Sequence, residues 1–124
     1  YAKLSSKDKY PYLRDTYYIT TASAEIHFSG NTTLNRTVIL SESNGTTTTY
    51  TAKNSETLGS NFYKRTFPSS SLANCINGIS GSSTITATVT AGTCSLSMTD
   101  IGPDGNTTIA GNADNKTFKH FTGG

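Results

Sequence analysis

From Thr84 to Ala91 the chain alternates without a break, Thr-Ile-Thr-Ala-Thr-Val-Thr-Ala. Successive side chains of an extended strand point to opposite faces. The segment therefore has one apolar face and one face that is a ladder of hydroxyls. β-branched residues suit that geometry, and the pattern predicts a strand with little ambiguity. Ala91-Gly92-Thr93 is expected to turn it back into Cys94 to Met98, where Leu96 and Met98 continue the same core.

The same reading extends along the chain. From Thr16 to Ser29, Tyr18, Ala22, Ala24, Ile26 and Phe28 fall on one face, while Tyr17, Ile19, Ser23, Glu25 and His27 fall on the other. Strands are expected over Leu34 to Ser41 and Thr46 to Lys53, joined at Ser43-Asn44-Gly45, whose Asn-Gly step favours a hairpin turn. Asn61 to Phe67 is a fourth segment, stopped by Pro68 and a serine run. Short strands at Thr107 to Ala110 and Lys116 to Phe121 finish the chain. Only Ser71 to Gly78 suits a short helix. Seven to eight short strands separated by turn signals predict an all-β fold, an antiparallel sandwich or barrel, with a helix-plus-sheet fold as the alternative.

With 124 residues the chain is the size of one domain. We place that domain at residues 16–122. Residues 1–15 do not alternate and carry four cations, and they read as an arm or linker. No internal repeat is visible.

The side chains that fill this pattern are unusual: 23 Thr, 16 Ser and 10 Asn against 18 charged residues and no Trp. Seven Tyr, five Phe and a net charge of +2 argue against disorder. The cations are few and scattered, so no nucleic-acid partner is expected. The longest apolar runs, such as Val38-Ile39-Leu40, fall far short of the ~18 residues a spanning helix needs, so no membrane insertion is expected. The chain opens at Tyr1 without an initiator Met, as a mature chain does after signal removal. The composition resembles that of surface adhesins and filament subunits, which are also rich in Thr, Ser and Asn. An extracellular or cell-surface location is the expectation.

Cys75 and Cys94 are the only cysteines, and in a short polar chain the pair predicts one disulfide, closing a loop of 18 intervening residues. Such a bridge contributes about 3 kcal/mol by chain entropy. A two-Cys metal site or two buried thiols are the rival readings. Five Asn-x-Thr sequons, at Asn31, Asn35, Asn44, Asn106 and Asn115, lie in turn-like stretches and are candidate glycosylation sites.

Two further sets carry possible chemistry. Glu25 and His27 share a strand face, and with His120 and the Lys64-Arg65 pair they form a candidate general acid and base set around Arg65, like those of secreted ribonucleases. Asp100, Asp104 and Asn106, with Asp114 beyond, supply hard oxygen ligands for calcium, although Pro103-Asp104-Gly105 is also the recipe for a plain turn. No cofactor is expected. Tyr10, Tyr12, Tyr17 and Tyr63 are candidates for stacking on sugars. The first functional expectation is a non-enzymatic extracellular structural or adhesion module. It would be a subunit of a pilus-like filament or surface layer that associates with itself by strand exchange through its N-terminal arm, with host or surface glycans as further partners. The second is a small secreted enzyme or effector, ribonuclease-like or glycan-binding, working through Glu25, His27, Arg65 and His120.

Overall fold

A computed structural model describes residues 20–124. The residues 1–15 read as an arm, with Tyr10, Tyr12 and Tyr17, lie outside the described part. Seven strands and one helix follow in order: β1 (Thr21–Phe28), β2 (Thr37–Ser41), β3 (Thr47–Lys53), β4 (Phe62–Lys64), α1 (Pro68–Ile76), β5 (Ile85–Thr90), β6 (Thr93–Ile101) and β7 (Lys116–Thr122). They form a four-stranded sheet in the order β5-β6-β1-β7 and a three-stranded sheet in the order β2-β3-β4.

The alternation seen in the sequence decides which face each strand buries. β1 buries Ala22, Ala24, Ile26 and Phe28 and turns Ser23, Glu25 and His27 outward. Its neighbours do the same with Ile85 and Ala87 of β5 and with Cys94, Leu96 and Met98 of β6. Val38, Leu40, Tyr50, Ala52 and Tyr63 of the second sheet join the same core cluster, as do Leu72 and Ile76 of α1. Each large aliphatic or aromatic side chain among them contributes about 1.5–3 kcal/mol on leaving water. Both sheets and the helix therefore share one core.

The turns follow their residues. Ala91 and Gly92 both have positive φ, 50° and 80°, which twists the β5–β6 hairpin with its strands. In the β2–β3 hairpin only Gly45 is left-handed, at φ 88°, and the Gly45 N–H donates to the Glu42 carbonyl at 2.9 Å. Pro68 opens α1, where its missing N–H costs nothing, and Leu72, Cys75 and Ile76 recur on the buried side.

Several expectations are corrected. The sheets do not close into a barrel. The fold is not wholly antiparallel, because β3 and β4 pair in parallel, with Thr51 opposite Phe62. Residues 54–61 carry the chain over in a loop that ends at Asn61 in the left-handed region, φ 56°, and only three residues of the expected fourth strand remain extended. The helix starts three residues earlier than Ser71, because Pro68 suits a first helical position. Thr107 to Ala110 is not a strand but a strap with a single bridge, Ile39 to Ala110.

The disulfide is absent: Cys75 and Cys94 are free thiols. They sit on different elements of the one core. The Cys75 Sγ, on α1, donates to the Phe62 carbonyl at 3.2 Å, whereas Cys94 lies on β6 between Ile26 of β1 and Val89 of β5. Burial pushes Cys75, which also faces the Glu56 charge, up to about 11 and Cys94 up to about 12. Both are neutral and unreactive at neutral pH. The small polarizable side chains act as apolar filling.

Candidate functional site

Three regions gather polar or exposed groups, and each is built by a different element. The first is the outer face of the four-stranded sheet. Cross-strand pairing lines up Thr88, Ser95, Glu25 and Lys119 in one row and Thr90, Thr93, His27 and Thr117 in the next. A bulge where β7 passes Ser23 to Glu25 turns both Lys119 and His120 toward solvent. A hollow of about 290 Å³ results, lined by Ser23, Glu25, Ser95, Ser97, Lys119 and His120. Lys119 Nζ stands 3.9 Å from Glu25 Oε1. Both are exposed, so their attraction is weak.

The expected acid and base set is thus divided. Glu25 and His120 share the hollow. His27 is outside its lining and holds Thr93 Oγ1 at 3.0 Å through Nδ1. Arg65 follows β4 in the other sheet, where its N–H donates to the Lys53 carbonyl and its carbonyl accepts from the Thr32 N–H. His120 is also engaged: its Nδ1 accepts from the Ile109 N–H at 2.9 Å and ties the strap to β7.

The second region is a set of loops locked on carboxylates. Asp114 accepts from the Thr32 hydroxyl at 2.6 Å and, at 2.7 and 2.5 Å, from the Thr33 N–H and hydroxyl. Those bonds hold its carboxyl well below the usual carboxylate range. Glu42, only 4% exposed, uses Oε1 to accept from Ser83 Oγ, Thr84 N and Thr84 Oγ1. Tyr50 lies beneath; its hydroxyl accepts from the Ser82 N–H, and burial pushes it up to about 12. The calcium candidates are spread over these loops. Asp100 accepts from Ser43 Oγ, Asn106 Oδ1 from the Gly124 N–H, and Asp104 sits in a short 3-10 turn. Among the described residues no three of His, Cys, Asp and Glu converge as metal ligands would.

All five sequon asparagines are exposed, but their surroundings differ. Asn115 Nδ2 donates to the Asn31 carbonyl, Asn35 Oδ1 accepts from Lys53, and Asn106 bonds both backbone groups of Gly124. Asn44 stands at the hairpin tip with Oδ1 accepting from the Thr46 N–H. Tyr63, expected at the surface as a sugar platform, is fully buried beside Phe28.

The third region was not legible in the sequence. Phe67 precedes Pro68 at the start of α1 in the left-handed conformation, φ 51°, and the residue is 82% exposed. It stands at a cleft of about 270 Å³ whose lining includes Phe28, Pro68, Val89 and Gly92 and no charged residue. A bulky side chain at positive φ costs about 1–3 kcal/mol. The one available signal was the Phe-Pro step closing an apolar segment.

The sheet edges are covered to different extents. The strap from Thr107 to Ala113 covers β2 through Ile39, Thr37 and Ser41. A Cβ at Gly111, φ 114°, would collide with the Thr37 carbonyl, so only glycine lets the strap lie that close. α1 covers β4 with Ser71 Oγ on the Lys64 N–H and Cys75 on the Phe62 carbonyl. The Asn77 amide pairs with both the N–H and the carbonyl of Ala87, at 3.0 and 2.9 Å, and takes the place of a neighbouring strand beside β5. The edges of β2 and β4 and the Ala87 position of β5 are therefore covered by the strap, α1 and the Asn77 amide.

No helix among the described residues is long and apolar enough to cross a membrane. Compared with known proteins, the chain matches no family model, no curated protein and no solved structure.

Proposed function

We propose that the chain is a non-enzymatic structural module of a cell exterior that works by associating with copies of itself. The observation that carries this reading is Phe67: an aromatic residue 82% exposed at an uncharged cleft. Unlike a singly exposed apolar side chain, Phe67 adjoins Phe28, Pro68 and Val89 at the cleft, and a contact covering them together would take that apolar surface out of water. The hydroxyl-rich outer face and the exposed sequons suit an extracellular surface, and the two sheets around one core are taken as the layers of a β-sandwich. Closed edges at β2 and β4 direct contact toward the cleft rather than toward whole-strand addition at those edges.

Sedimentation of the protein from its native source, with negative-stain electron microscopy, tests the reading. Concentration-dependent oligomers or filaments are expected. A monomer of about 13 kDa at every concentration up to the order of 100 µM, well above the micromolar range of specific contacts, would sink it.

One observation favours a second reading, a secreted effector acting on RNA or a glycan: Glu25, Lys119 and His120 share the hollow on the outer face. Glu25→Gln would then abolish turnover or glycan binding without changing the thermal midpoint, and His120→Ala would abolish it while also lowering the midpoint, because it strips the acceptor from the Ile109 N–H. Unchanged activity in both variants removes it.

A further inference from the structure

The cleft beside Phe67 has a polarity relative to the rest of the chain. β1 runs from Thr21 to Phe28, and Phe28 forms part of the cleft wall. The chain enters β1 at the other end, where the Thr20 carbonyl accepts from the Gly102 N–H at 3.0 Å and Ile101 is 60% exposed. Eight residues of strand separate the two poles by about 26 Å. Thr20, where the described part of the chain begins, therefore lies at the pole opposite the cleft.

The cleft sets the chemistry of its occupant. Phe28, Phe67, Pro68 and Val89 give an apolar wall, the sequon residue Asn31 with Ser69 and Gly92 a polar one, and no charge lines it. A charged segment would lose hydration there without compensation. One backbone site is also open. The Ala87 N–H and carbonyl point away from β6 to the Asn77 amide, so by the alternation of an antiparallel pair the N–H and carbonyl of Val89, two residues on, also point away from β6. An extended segment can add one residue pair at Val89, and the Asn77 amide on Ala87 stops it from running further along β5.

We infer that this cleft receives Tyr10-Pro11-Tyr12-Leu13 from a second copy of the chain. The inference rests on the self-association reading above and names its contact. Those four residues are the uncharged stretch between Lys9 and Arg14, and three of them carry large apolar side chains. Proline at the second position pre-sets φ and lowers the entropy cost of binding in an extended form. Tyrosine supplies broad contact area and a hydroxyl for the polar wall. A segment leaving one pole for a cleft at the other makes a heterologous, head-to-tail contact, and such contacts propagate into open filaments unless a ring closes.

Mixed-copy cross-linking of the full chain tests it. Tyr12→Cys is made in one copy and Ser70→Cys, at the cleft wall, in another. The two are mixed with copper–phenanthroline, which removes two electrons and two protons from a thiol pair to form the disulfide. The parent chain is the control for the buried Cys75 and Cys94. Cross-linked dimer well above that of either variant alone is expected. Phe67→Ser, at a site exposed enough to leave folding intact, is expected to raise the self-association constant Kd at least tenfold with an unchanged thermal midpoint. If a single chain carrying both cysteines closes on itself with a yield independent of concentration, the occupant is the chain's own segment and the inference is overturned. If the parent associates but neither the cross-link nor the Phe67→Ser effect is seen, the cleft is not the contact, while self-association stands. If no form associates, the functional reading itself fails and this inference with it.

Discussion

The hydroxyls on the outer face of the four-stranded sheet and those in the loops at Glu42 and Asp114 come from the same residue types and do different work. On the sheet, Thr86, Thr88, Ser95 and Ser97 face water, and each trades one solvent hydrogen bond for another. In the loops, Thr32, Thr33, Ser83 and Thr84 donate to carboxylates whose other partners are protein groups. Hydrogen bonds to a charged acceptor contribute more, and a buried partner left alone costs its full desolvation. Composition is therefore a poor guide to stability in this chain. What matters is whether a hydroxyl meets a carboxylate.

Four measurements separate the two regions. The largest effect is expected at Glu42: Glu42→Ala strips the acceptor from Thr84 N, Thr84 Oγ1 and Ser83 Oγ and should cost about 3 kcal/mol in urea unfolding. Glu42→Gln, which keeps a carbonyl oxygen, should recover much of that; equal losses in the two variants would show that packing rather than the acceptor matters. Next comes Asn77→Ala, which uncovers both backbone groups of Ala87 and should cost about 1–2 kcal/mol. It should also speed aggregation, because β5 then presents a longer open edge.

Acid unfolding probes Asp114. Its folded carboxyl titrates below the unfolded value of about 3.9, so its contribution is complete above that pH and is lost as the pH falls through the folded value. Wild type should thus lose stability faster than Asp114→Asn below about pH 4, and the two curves should converge; parallel curves would remove the clasp from the account. The smallest effects belong to the outer face. Thr88→Ala and Ser95→Ala should each change stability by less than about 0.5 kcal/mol, and breaking the exposed pair with Lys119→Gln should do no more. A change above about 1 kcal/mol at any of these three would mean that the outer face is covered by something in the native protein.

Much of the fold was legible because alternation is a local signal. Ile85 and Ala87 are buried and Thr86 and Thr88 exposed because period two and a one-sided core leave no other arrangement. The hairpins were legible at Asn44-Gly45 and Ala91-Gly92 for the same local reason. Partners at a distance were not. Nothing near Cys75 in the sequence shows that it meets the Phe62 carbonyl instead of Cys94, and nothing near Arg65 shows that it lies on the other sheet from Glu25 and His27. The parallel pairing of β4 escaped because three residues carry too little pattern to report a direction. The cleft escaped because its wall is assembled from β1, β5 and the start of α1.

The sequence by itself thus determined the β character, the strand faces and the turns, since each follows from side chains within a few residues of one another. Only the tertiary structure decided that the two thiols stay apart, that Asn77, α1 and the strap close the sheet edges, and that Phe67 stands in water beside a cleft. Those outcomes depend on which surfaces meet when one core is buried, and contacts between distant segments leave no mark on the local pattern.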